Sequence, residues 1–140
     1  MAALITVKDA VSQAAMEIGI SQRPVTTAVG SLDEDINQMV AQLRAVATEV
    51  MMTSPYEEQL ADGYWLQADD GTPRAVPTAD DDLILFDRRL AIAGLKFRFL
   101  KAKGLEFGEE MRDFTAVLNR IASRSNARVL DLNLDEGRVQ

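Results

Sequence analysis

Helical periodicity occupies two blocks of this chain, and between Thr53 and Asp81 that period disappears. Such a pattern demands two pairs of helices with something irregular set between them. In the first block, Val7, Ala10, Val11, Ala14 and Ile18 recur at helical spacing. Thr6 stands as N-cap, Asp9 lies in the first turn and Gly19 follows as the closing glycine, so a helix is expected over about Val7–Ile18. Ile20 to Gly30, with Pro24, reads as a fixed extended loop. Ser31-Leu32-Asp33-Glu34 has the capping-box order. Ile36, Met39, Val40, Leu43, Val46 and Val50 then form a stripe to about Met52. A connection of about a dozen residues makes these two helices an antiparallel pair.

In the second block, Leu83, Phe86, Leu90, Ala93, Phe97 and Leu100 mark a long helix that Gly104 ends, with Asp80, Asp81 and Asp82 at its start. A fourth helix is expected from Phe107 or Glu109 to Arg124, on the stripe Met111, Phe114, Val117, Leu118 and Ile121. Met39, Met51, Met52 and Met111 fall on or near these stripes and are expected in the core. In the intervening segment, Pro55, Gly63, Gly71, Pro73 and Pro77 punctuate the chain. Tyr64-Trp65-Leu66 and Arg74-Ala75-Val76 flank Asp69-Asp70-Gly71, the pattern of a short β-hairpin. A hairpin alone is marginal in water, so this one must pack on something. Near the C-terminus, Leu130, Leu132 and Leu134 alternate strictly, with Val129 beside them, which is the period of a strand. The expected architecture is mainly α. A bundle of about four helices covers residues 1–125 with a hairpin-like insertion at about 62–78, and residues 126–140 form an extended C-terminal arm that docks on a partner.

Composition narrows the function. The chain has 140 residues, 47% of them apolar and 26% charged, which suits one globular domain. It contains neither cysteine nor histidine. Disulfides, thiolate metal sites, a Ser-His-Asp triad and histidine-bound zinc are therefore all excluded. No apolar run is long enough for a membrane span, and no export signal is evident, so a soluble protein is expected. The aspartate cluster at 80–82, with Asp69 and Asp70, lacks the alternating ligands and terminal glutamate of a calcium loop. Nothing in the sequence places two carboxylates across a cleft. No enzyme activity, cofactor or metal is expected.

The net charge of −7 hides an asymmetry. Residues 1–87 carry four basic and fifteen acidic side chains, net −11, whereas residues 88–128 carry ten and four, net +6. Arg88, Arg89, Lys96, Arg98, Lys101 and Lys103 crowd the third helix. Three readings stand for them: contact with phosphate, a solvated face pairing with nearby acids, and complementarity between subunits in a head-to-tail ring. Tyr64 and Trp65 lie in the hairpin, where they either meet a partner or anchor the hairpin to the helices.

The order of these parts resembles the head–tail adaptor, or connector, proteins of tailed bacteriophages. The similar features are Val7-Lys8-Asp9-Ala10-Val11 leading to Ala15-Met16-Glu17-Ile18-Gly19-Ile20, a loop with Thr-Ala-Val, and the capped Ser31-Leu32-Asp33-Glu34 helix. After these come an irregular insertion, the apolar and basic run from Leu83 to Gly104, and an extended C-terminal segment. The resemblance covers most of the chain and is one of pattern; the stretch from Tyr64 to Val76 has no clear counterpart. It implies a non-enzymatic virion protein, assembled in the host cytoplasm, whose twelve-copy ring sits below the portal protein. Such a ring extends the DNA channel, lets DNA pass without specific binding, touches no membrane, and offers a platform to tail or stopper proteins. Val129, Leu130, Leu132 and Leu134 would then dock on the portal or on a neighbouring copy. The competing reading is a helical DNA-binding packaging protein such as a small terminase subunit. That reading requires a basic recognition helix, which the first two helices do not provide.

Overall fold

Thr6 closes a two-residue strand, β1 (Ile5–Thr6), and opens helix α1 (Val7–Glu17), where its hydroxyl accepts the Asp9 amide at 3.3 Å. The computed structural model describes residues 4–139, with side chains as far as Ser125. Helix α2 (Glu34–Met51) is capped by Asp33, whose carboxylate accepts the amides of Asp35 and Ile36. The capping-box expectation therefore places the cap two residues early. Ser31 instead accepts the Asp33 amide and shapes the chain before the cap.

The segment between the helix pairs starts with a single helical turn, α3 (Tyr56–Gln59). The expected hairpin follows as β2 (Leu66–Gln67) and β3 (Pro73–Arg74), with Leu66 opposite Arg74 and Gln67 opposite Pro73. It is not a free insertion. A further strand, β4 (Leu83–Ile84), pairs with β2 on one side and β1 on the other, giving an antiparallel sheet in the order β1-β4-β2-β3. Ile5, Ile84 and Leu66 lie in one row across three strands and turn into the core.

Leu83 and Ile84 were expected in the third helix, but α4 (Arg88–Ala102) starts only after Asp87, its N-cap. The apolar run Leu83–Phe86 is compatible with strand or helix by period, and pairing on both edges decides for strand. The aspartates before it cap loops, not a helix. Asp80 accepts the amides of Ala28 and Val29 at 3.0 and 2.8 Å, and Asp82 accepts those of Thr78 and Ala79. The Asp82 side chain is fully buried, with Oδ1 3.9 Å from the Arg74 guanidinium.

Helix α4 is the centre of the fold, packed against α1, α2 and α5 (Gly108–Val139). Its buried residues, Leu90 to Leu95, Phe97 and Phe99, go nearly all round it, as befits a helix covered on several sides. The contacts fix directions. Arg88 and Lys96 meet Gln13 and Glu17 in the same order, so α1 runs parallel to α4. Gly94 and Lys103 meet Val46 and Asp35 in reverse order, so α2 is antiparallel to α4 and hence to α1. Phe97 with Phe107 and Gly94 with Phe114 make α5 antiparallel too. Phe114 is buried, and Val117, Leu118 and Ile121 pack on the core.

Two expectations fail on this frame. Met52 and Met111 are exposed, by 76% and 40%; Met52 is the residue that caps α2 beyond its last turn, and Met111 lies in the opening turns of α5. The extended C-terminal arm is also corrected, because α5 is helical as far as Val139. No proline or glycine stands between Arg124 and Glu136, so an established helix propagates at little cost despite the alternating leucines.

Candidate protein-interaction surface

Most of the basic residues at α4 pair with acids of their own chain. Lys96 pairs with Glu17 of α1 at 3.0 Å, Arg98 with Glu49 of α2, and Lys103 with Asp35 of α2 at 3.0 Å. Arg88 donates to Gln13 at 3.4 Å. Lys101 is exposed, with its ammonium 5.8 Å from the Phe97 ring centre. The acidic half and the basic half of the sequence thus meet within one subunit. These pairs are partly solvated and contribute little singly.

Arg89 grips its own helix cap. Its Nε and Nη2 donate to the two carboxylate oxygens of Asp87 at 3.1 and 3.0 Å, and its backbone amide donates to Oδ1 at 2.8 Å. Behind this cap the Tyr56 hydroxyl accepts the Asp87 amide, tying α3 to α4. Burial pushes the Asp87 carboxyl upward, yet the hydrogen bonds and charge of Arg89, with Arg124 adding to them, hold it below the usual carboxylate range. A depressed folded pKa stabilises above the unfolded value, and that stability is lost as pH falls through the folded one. Asp87→Ala should cost about 1–2 kcal/mol near neutral pH and much less in acid, where the wild-type carboxyl is itself neutral. Urea midpoints at the two pH values check this.

The two hairpin aromatics separate in role. Trp65 is 2% exposed, donates from Nε1 to the Ala75 carbonyl at 2.8 Å, and packs beside Phe86. It is the hairpin's anchor and is not available to a partner. Tyr64 is 46% exposed. Its ring borders an open groove of about 300 Å³ between the end of α3 and the hairpin, with Leu60, Leu66 and Leu85 among its lining. Gln59, Asp62 and Gln67 supply polar groups, and Pro73 and Gly71 complete the far side. Asp62 is fixed at this site because its Oδ1 accepts the Tyr64 amide at 3.1 Å. Sequence reading found Tyr64 but missed Gln59, Asp62 and Gln67. The Asp62-Gly63 turn signal was readable, whereas the convergence of α3 with the hairpin depends on the sheet.

Val129, Leu130, Leu132 and Leu134 lie on the helical backbone of α5, with side chains outside the described residues. Among the described residues no carboxylates gather in a metal-holding group, and no helix is long and apolar enough to cross a membrane. Comparison with protein-family models, curated proteins and solved structures found no match to this chain.

Proposed function

We propose that this chain is a structural subunit of a tailed-bacteriophage neck, a head–tail adaptor that assembles as a ring beneath the portal. The observation that carries the reading is the surplus length of α5. It has 32 residues, about 48 Å of helix at 1.5 Å per residue, whereas α4, on which it packs, has 15. The core takes Phe114, Val117, Leu118 and Ile121. The helix beyond Ser125 therefore exceeds what α4 can flank, and in an adaptor that surplus engages the portal or a neighbouring copy. The net charge of −7 suits a channel wall along which DNA slides without adhering. A DNA-reading packaging protein draws less support. The basic helix is α4, and its Lys96, Arg98 and Lys103 are paired with acids of α1 and α2.

Deleting residues 129–140 tests the reading. The truncated protein should melt within about 3 °C of the full chain, since a small change in stability moves the midpoint only a few degrees, and it should no longer attach to portal-bearing heads. Attachment equal to that of the full chain would contradict the proposal. A fall of many degrees would place the segment in the subunit's own core instead of on a partner.

A further inference from the structure

We infer that the groove between α3 and the hairpin receives the Arg128-Val129-Leu130 stretch of a neighbouring copy, head to tail. The contact deepens the adaptor reading and rests on it for the presence of a neighbour. The groove sets the chemistry of its occupant. Leu60, Leu66 and Leu85 with the Tyr64 ring offer apolar surface, and the volume of about 300 Å³ has room for one or two aliphatic side chains. Among the described residues no cation lines it, while Asp62 does. Further exposed acids adjoin lining residues in the chain: Glu58 precedes Gln59, and Asp69 and Asp70 precede Gly71. Hydrogen bonds from Thr72 keep the Asp70 carboxyl below its usual range, so it stays ionised into acid. Such a groove selects an aliphatic side chain that follows or precedes a cation.

The chain holds that chemistry at Arg128-Val129-Leu130, in the half of α5 that α4 is too short to flank, where two aliphatic residues follow the arginine; Arg138-Val139 in the same half offers only one. Arg120-Ile121 has a similar order, but Ile121 already packs on its own core. Groove and stretch are different surfaces, so their union is heterologous and propagates from copy to copy, closing into a ring where the rotation allows.

Sedimentation velocity of the full chain at about 100 μM reads the contact. Wild type should self-associate, and Asp62→Lys or Arg128→Glu should each weaken association about tenfold. The double variant, with the charges exchanged, should recover it. An equimolar mixture of the two single variants should likewise recover association beyond dimers, because every contact between unlike copies then pairs opposite charges, Asp62 with Arg128 or the two substituted side chains with each other. Unchanged circular dichroism confirms folding, and Tyr64→Ser, which removes the groove's ring, should weaken association without altering charge. A monomeric wild type, or a mixture that behaves like its separate components, overturns the contact. Attachment of that same wild type to portal would leave the adaptor reading standing. Self-association of the predicted kind without portal attachment would sink the adaptor reading and keep the contact.

Discussion

Gly94→Ala should lower the melting temperature by several degrees, and Gly94→Val should prevent folding. Glycine within a helix ordinarily costs about 0.5–1 kcal/mol relative to alanine, so propensity alone would predict a gain. Packing reverses the sign. A Cβ at position 94 would lie 2.5 and 3.0 Å from the two methyl carbons of Val46 and 3.1 Å from Cε1 of Phe114. Both neighbours are buried, on α2 and α5 respectively. A valine in mid-helix has one strongly preferred rotamer and cannot swing aside, so α4 must move away from α2. Overpacking of this kind costs about 1–3 kcal/mol, which exceeds the propensity gain. Valine would add two more methyl groups at a junction of three helices. Thermal melts of both variants provide the check, and a Gly94→Ala protein as stable as wild type would show that the helices tolerate more separation than these distances allow.

Trp65→Ala should cost about 3–5 kcal/mol. Total stability for a domain of this size is about 5–15 kcal/mol, so the variant stands near unfolding. The indole fills the space beside Phe86, with ring centres 6.3 Å apart, and its hydrogen bond to Ala75 holds the strand end after β3. Trp65→Phe separates these contributions. It keeps most of the apolar bulk but leaves the Ala75 carbonyl without its donor, for a cost of about 1–3 kcal/mol. Urea denaturation of the pair distinguishes an anchor from a dispensable surface aromatic; a change under about 0.5 kcal/mol in Trp65→Ala, the usual range for surface sites, would refute the anchoring role.

Elements whose signals are local were legible in the sequence. Thr6 caps α1, the α2 stripe buries Ile36, Met39, Leu43, Val46 and Val50, and Gly104, at φ 72°, follows the end of α4. What escaped depends on distant partners. Strands β1 and β4 are two residues each, too short for a period, and exist because Ile5 meets Ile84 across most of the chain. Asp80 and Asp82 look like a helix start but hold loops at positions 28, 29, 78 and 79. Gly94 was passed over because its reason is the closeness of Val46 and Phe114, which no window along α4 contains. The charge asymmetry was visible as a count, but its resolution into intrachain pairs needed the parallel and antiparallel directions of the helices. The alternation of Leu130, Leu132 and Leu134 misled because a helix already running from Gly108 overrides a three-leucine period.

The adaptor reading is tested most directly by class-averaged electron microscopy of the purified protein mixed with a tailed-bacteriophage portal complex. The account predicts an added coaxial ring on one end of the portal, twelvefold in symmetry, with an open central channel. Portal particles unchanged beside free protein, or added density along DNA in place of the portal, would contradict it.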